Sequence, residues 1–456
     1  MTWAERRIGQ LDDAYEAMMA AARKRRGPPR EAMLPAMIMI AAKALSDRSD
    51  GEGWRRAQLG AMGRDGRDPR SEAAAVLSER LPDAPGLLAP ALGALEPDVA
   101  AAWVRILSPL VLDFQSAEAL AFAEWYVQGV NRAMLVAEGH IQPPPAVSAL
   151  MDALCDLGGA DSVLVPYCGN GGLAAVAAIA AARRGRTSSV LAWEPEPRLA
   201  ALARLAAVVL EGSGAKIEMV EEPLLHGDCF DAVFSAPPCG READLAFFDL
   251  FGVARDPDGR RLHADTAVAC LAAARLSGRG RAALMVTEGT LTRVASDDLL
   301  RRKLTAGGAL ASVVGLPKKL LFPATQVAAT LMVFRTPPEG ADGSILVADA
   351  SSLSDAGRGA VVLARAVVDA VLAAISPGAR PLGDASPSVK VSKVAADGLS
   401  ARLQFRAAPA DVSAAPGEGP RAKIKRIKEL EAEQRKLADE VDALILKLSD
   451  AMGGAP

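Results

Sequence analysis

The chain has no excess of positive charge, no paired cysteines and no long apolar run, and each absence removes a class of function. Lys and Arg number 52 against 55 Asp and Glu, a formal charge of −3 over 456 residues. The chain therefore lacks the global positive field that drives binding to a phosphate backbone unaided. Any contact with DNA would need a basic partner or a local patch. The five cysteines (Cys155, Cys168, Cys229, Cys239, Cys270) form no Cys-x-x-Cys pair, and His226 beside Cys229 is two ligands short of a zinc site. No metal is expected, and a reducing, cytoplasmic setting fits. The longest apolar run, Leu173 to Ala182, is far shorter than the roughly 20 residues a membrane span requires. Met1 to Gln10 is charged and has no apolar h-region, so neither membrane insertion nor secretion is expected.

Half of the residues are hydrophobic and 23% are charged, which describes a core-forming protein long enough for two or three domains. Residues 1–135 show helical spacing without strand alternation, with one stripe at Ile8, Leu11, Tyr15 and Met18-Met19 and another at Leu120, Ala123, Val127 and Val130. They are expected to form an all-helical N-terminal domain. Its basic run Arg23 to Arg26 reads more readily as the compensated end of a helix than as a DNA contact. From residue 136 to 375 short β-rich runs alternate with Ala/Leu helices, the rhythm of a mostly parallel sheet covered on both faces. Strands are expected at Ser162–Val165, Val190–Glu194, Lys216–Val220, Asp231–Ser235, Arg281–Thr287, Ala311–Leu316 and Ala328–Phe334, the last antiparallel; helices are expected at Gly172–Arg183, Arg198–Leu210 and Thr266–Leu276. This rhythm admits a class I (Rossmann-like) methyltransferase sheet of seven strands, and equally a dehydrogenase. Residues 376–420 read as a linker and irregular segment. In the tail, 421–456, the positions Ile427, Leu430, Gln434, Leu437, Val441, Leu444 and Leu448 follow a 3-4-3-4 spacing, which fits a short coiled-coil-like helix or a helix packing back on its own domain.

Val163-Leu164-Val165-Pro166-Tyr167-Cys168-Gly169-Asn170-Gly171-Gly172-Leu173 reads as a strand, a glycine turn and a helix start. Such a turn lets a ligand approach the backbone at the positive end of a helix, although many glycine turns only pack a helix on a sheet. The absence of Gly-Lys-Ser/Thr excludes a phosphate loop. Glu194 ends the next strand, where an acid can accept hydrogen bonds from ribose hydroxyls. Together these point to nucleoside-type architecture. Tyr167 and Trp193 flank it, as packing or as stacking surfaces.

The most specific stretch is Ser235-Ala236-Pro237-Pro238-Cys239-Gly240, which ends the apolar run Phe230 to Phe234. It resembles the catalytic loop of the N6-adenine DNA methylase family, Asn-Pro-Pro-Tyr or Asn-Pro-Pro-Phe. Over roughly Gly139 to Arg335 the chain is similar to the modification subunit of type I restriction systems. Gly139 to Pro145 is similar to that family's upstream segment ending in Thr-Pro. Pro166 to Leu173 is similar to its Asp-Pro-Ala-Cys-Gly-Thr-Gly-Gly-Phe loop, with Cys168, Gly169, Gly171 and Gly172 in register. Val313 to Thr325 followed by Thr330 to Phe334 is the sharpest downstream match. The resemblance implies S-adenosylmethionine as cofactor and Pro143, Val165, Cys168, Gly169, Gly171, Glu194 and Glu221 at its binding positions, with Glu222 an equal choice for the last. It implies catalytic positions at Ala236, Pro237, Pro238 and Cys239, and a partner such as a specificity subunit or an active methylase, engaged through the N-terminal helices and residues 427–448. DNA is then expected only within a complex.

The departures from the family pattern fall on groups that touch ligand. Pro143 replaces a Thr, Val165 an Asp, Ala236 the catalytic Asn and Cys239 the aromatic. Extruding a base costs a few kcal/mol, of which aromatic stacking returns about 1–3 kcal/mol. A lost transition-state hydrogen bond costs about 10²–10³ in rate. The chain is therefore expected to be an impaired or inactive methylase homologue with a structural role. The alternatives are an active N6-adenine methylase subunit that needs a separate specificity subunit, and a methyltransferase with a rebuilt pocket around Cys239 or Cys168. For His140, His226 and His263 a surface or turn role is the default.

Overall fold

Alternating apolar strands with Ala-rich helices produce the layered α/β body that the sequence rhythm requires. The computed structural model describes residues 3–24, 29–64, 66–81, 84–114, 116–138, 142–222, 224, 228–252, 262–292, 308–318, 320–321, 328–337, 344–351, 363–375 and 389–394. Two compact units divide the chain, Met1–Leu403 and Gln404–Pro456, and every described residue belongs to the first. The heptad-like positions from Ile427 to Leu448, together with Arg25, Arg26, His140 and His226, lie outside the described residues.

Helices come first: α1 (Trp3–Lys24), α2 (Pro29–Arg48), α3 (Glu52–Ala61), α4 (Pro69–Arg80), α5 (Ala84–Gly93), α6 (Pro97–Leu107) and α7 (Ser116–Glu138). Their starts carry recognisable signals. Asp68 accepts the Arg70 amide as the cap of α4, and proline opens both α4 and α6. The α1 stripe is buried at Leu11, Tyr15, Met18 and Met19, where Trp103 donates its indole N–H to the Met18 carbonyl at 2.7 Å. Among the described residues no helix is long and apolar enough to cross a membrane.

The remaining elements are α8 (Pro145–Cys155), β1 (Ser162–Pro166), α9 (Gly172–Arg183), β2 (Ser189–Trp193), α10 (Pro197–Leu210), β3 (Ile217–Met219), β4 (Phe230–Ser235), α11 (Leu245–Phe251), α12 (Ala264–Arg275), β5 (Leu276–Thr287), α13 (Gly289–Thr292), β6 (Leu310–Gly315), β7 (Ala329–Arg335), β8 (Ile345–Asp349), α14 (Arg365–Ile375) and β9 (Lys390–Val394). The strand order is β3-β2-β1-β4-β5-β7-β6-β8-β9. Strands β1 to β5 pair in parallel, and β7 inserts antiparallel between β5 and β6. This is the expected class I order, extended at one edge. The central strands β1, β4 and β7 are apolar on both faces, as burial under helices demands.

Three differences from the sequence reading have local causes. Strand β5 begins at Leu276, not Arg281, because Ser277-Gly278-Arg279-Gly280 forms an irregularity beside Phe230 that looks like a turn in composition. A Cβ on Gly280 would lie 2.8 Å from the Phe230 carbonyl oxygen, so the close approach requires glycine. Beyond Pro337 the chain adds β8, parallel to β6, and then β9, antiparallel to β8. The sheet therefore has nine strands where seven were expected. Strand β9 lies within the stretch read as linker; its alternating Lys-Val-Ser-Lys-Val is too short and polar to stand out from the Pro/Gly/Ser-rich residues before it.

Two helices join the halves. Ala201, Leu202, Leu205, Val208 and Val209 of α10 belong to the core of the N-terminal helices, whereas Ala123 and Val127 of α7 belong to the core of the sheet. Arg48, from the end of α2, donates to the carbonyls of Val208 and Val209 at 3.2 and 2.9 Å, satisfying the orphan acceptors at the end of α10. Replacing it with an apolar side chain removes both bonds, although the Val208 carbonyl keeps the Glu211 amide as donor. The Arg48→Met variant is expected to lose roughly 1.5–3 kcal/mol, read as a lower urea midpoint at unchanged slope.

Candidate cofactor and substrate site

The loop after β1 is held by contacts that only small residues allow. Tyr167, Gly169 and Gly171 all have left-handed backbone, at φ 52°, 60° and 84°. Gly171 precedes α9, and a Cβ there would lie 2.8 Å from Ala203 Cα of α10; on Gly172 it would lie 2.5 Å from the Asn131 side chain of α7. Asn170 donates to Asn131 Oδ1 at 2.9 Å and accepts the Gly172 amide at 3.1 Å. The turn is clamped between two helices. Cys168 is fully buried, which holds its thiol well above the ordinary range; it is a neutral packing group.

Glu194 follows β2 and comes to this loop. Its Oε2 accepts the Gly169 amide at 2.8 Å and its Oε1 the Glu196 amide at 3.1 Å. Both oxygens thus have a backbone donor, and each retains a lone pair for a further one. Glu221 follows β3 at the same edge but is exposed and accepts from Arg204 at 2.9 Å, turned toward the surface of α10. Glu222 is also exposed. Val165 is completely buried in the sheet core. Pro143 is buried ahead of α8, and its carbonyl accepts the Ser148 hydroxyl at 3.3 Å. Neither side chain can offer a polar contact to a ligand.

The catalytic-loop positions lie at the end of β4, beside β1. Ser235 is fully buried and its hydroxyl donates to the Pro166 carbonyl at 2.6 Å, tying β4 to β1. Ala236 packs partly against the sheet core, Pro237 is buried, and Pro238 and Cys239 are half-buried. The chain then reverses at Gly240, φ 67°, and Arg241 to Ala243 pair with Leu262 to Ala264. This places His263 in a bridge with Glu242, at the start of α12.

A group of aromatic side chains that the sequence reading did not assemble fills the space above these strand ends. Asp244 caps α11 through the Ala246 amide, and its own amide donates to the Tyr167 hydroxyl at 3.0 Å. The Tyr167 ring stacks on Phe247, centroids 5.5 Å apart and 19° between planes, and meets the edge of Trp193 at 4.9 Å. Phe251 contacts Trp193 at 5.6 Å and Phe247 at 4.9 Å. The Leu250 carbonyl accepts from Leu224 at 2.8 Å, so α11 spans from the end of β1 past β2 to the chain after β3. The signal was present in the sequence: three of its 10 phenylalanines, Phe247, Phe248 and Phe251, fall within five residues behind an Asp cap.

Glu194 is half-buried at this loop, and its desolvation raises the carboxyl to about 6 from an ordinary 4.5, against the two amides that favour its charged form. The folded state thus holds this proton more tightly than the unfolded chain. Its contribution to stability is complete below about pH 4.5 and is lost as pH rises through about 6. Urea unfolding of the wild type and of Glu194→Gln across this window is expected to show the wild type losing about 2 kcal/mol relative to the variant.

Comparison with known proteins places this geometry. The description N-6 DNA Methylase belongs to the family model that matches residues 123–363, more than half of the chain. No curated protein matches in sequence. Among solved structures, the methyltransferase subunit of a type I restriction-modification system from Streptococcus thermophilus superposes with a TM-score of 0.60 at 16% identity, over 88% of this chain and 98% of its own. A structure from work on complex assembly and conformational transition of the type I system gives 0.62 at 15% identity, over 96% and 98%. A type I modification subunit from Vibrio vulnificus gives 0.57 at 17% identity, over 86% and 93%. At such identities the structural likeness establishes the fold, and the match over residues 123–363 establishes that the chain belongs to the N-6 DNA methylase family.

Proposed function

We propose that this chain is a modification-subunit homologue of the type I kind that has lost adenine-N6 methyl transfer and serves as a structural subunit of a DNA modification or defence complex. The observation that carries this reading is the catalytic loop, where the two prolines are kept and the working side chains are not. Ala236 has no carboxamide to accept from an exocyclic amine. The nearest hydroxyl, on Ser235, is already donated to Pro166 and fully buried. Cys239 offers no ring to a flipped base. The missing carboxamide alone accounts for about 10²–10³ in rate, and the missing ring forfeits most of the roughly 1–3 kcal/mol that stacking returns.

S-adenosylmethionine is the methyl donor this family implies, and the residues present do not fit it well. Pro143 and Val165 offer the methionyl group no polar side chain, Glu221 is paired with Arg204, and the nucleoside side is packed with rings. Of the implied binding positions, Glu194 keeps suitable chemistry, since the Gly169 amide is already donated to it. Retention of the full architecture fits a role in assembly, with a specificity subunit or an active methylase as partner through the N-terminal helices and residues 427–448. A net charge of −3 fits DNA contact only within that complex, in a cytoplasmic setting.

Incubation with S-[methyl-³H]adenosylmethionine, adenine-containing duplex DNA and candidate specificity subunits is expected to give no label in DNA above background. Label that disappears in Pro237→Ala but persists when exposed residues such as Glu218 are changed would contradict the proposal.

A further inference from the structure

We infer that Phe247 and Tyr167 close the nucleoside crevice of this chain, with α11 as its resident occupant. The inference rests on the methylase-type reading above and names what shuts the cofactor site. In open α/β sheets ligands bind outside the carboxyl ends of the strands, here the ends of β1, β2 and β3. In this chain α11 lies across all three. Tyr167 directly follows β1, Trp193 ends β2, and both rings meet Phe247, while Leu250 bonds the chain beyond β3.

The rings leave no face for a base. Tyr167 is 6% exposed, Trp193 5%, and Phe247 and Phe251 are completely buried. An adenine approaching Glu194 would have to displace Phe247 from its stack on Tyr167. Tyr167 also acts as a latch. In the register of the family loop it stands where an Ala is expected, so a phenol has been added at the mouth of the glycine turn. Its hydroxyl accepts the Asp244 amide at the head of α11, joining the cofactor loop to the segment behind the catalytic loop. Its left-handed backbone, unusual for a residue with a ring, turns the side chain out of the β1 direction into this stack.

The test is calorimetric titration of the full-length wild type, Phe247→Ala, Tyr167→Ala and the double variant with two probes, S-adenosylmethionine and 5′-methylthioadenosine. The second lacks the methionyl carboxylate, so the changes at Pro143 and Val165 do not bear on it. No saturable binding is expected for the wild type. The double variant, shown folded by cooperative thermal unfolding, is expected to bind methylthioadenosine roughly tenfold or more tightly than the wild type, the scale of one aromatic stack. Saturable binding of either probe to the wild type, or a folded double variant with no gain, would overturn the inference while leaving the loss of methyl transfer standing. Methyl transfer by the wild type would overturn the underlying reading. Should the double variant not fold, hydrogen exchange in Tyr167→Phe decides. Loss of the hydroxyl acceptor is expected to speed exchange at Asp244 to Phe251 alone, and unchanged exchange there would overturn the latch.

Discussion

Close packing at the glycine turn is the constraint on which the rest of the molecule depends. Gly171 brings the loop against α10 and Gly172 brings it against α7, at distances where a single Cβ would collide with backbone or with Asn131. These two helices are also the ones whose side chains are shared between the two cores. The turn is therefore both a potential ligand cradle and the keystone between the N-terminal helices and the sheet. Its glycines would be required for folding even if no ligand ever bound, so their presence alone does not argue for activity.

Under the proposed function, that distinction sorts what the chain has kept from what it has lost. Groups with a packing duty are intact: the glycines, the Glu194 carboxylate that ties Gly169 to the end of β2, and the prolines of the catalytic loop. On that reading, positions that face ligand in the family carry residues here that serve the interior. Val165 completes the sheet core, and Tyr167, Trp193, Phe247 and Phe251 form a hydrophobic cluster at the strand ends. Aromatic burial of this kind contributes stability by area and by ring geometry.

Much of this was legible in the sequence where the physics is local. Strand β1, the glycine turn, the α9 start and the β4 loop are set by apolar runs and glycines within a few residues, and their places could be read directly. The antiparallel strand expected at Ala328–Phe334 is found as β7, although 13 residues separate it from β6. What could not be read depends on contacts distant in sequence. The partner of Glu221 is Arg204 on α10, and the partner of Ser235 is a carbonyl 69 residues away. The aromatic cluster joins residues from three separate segments, and its key helix is only seven residues long, below the length at which periodicity is informative. Strands β8 and β9 were hidden for a different reason, since an edge extension made of short segments carries little alternation to detect.

The central claim is that the methylase architecture persists around a cofactor crevice filled by the chain itself. A crystal structure of the protein grown with S-adenosylmethionine in large excess tests it most directly. The account predicts density for the Phe247 ring stacked on Tyr167 and none for a nucleoside at Glu194. An adenine lying between Tyr167 and Phe247, with its ribose on Glu194, would contradict it.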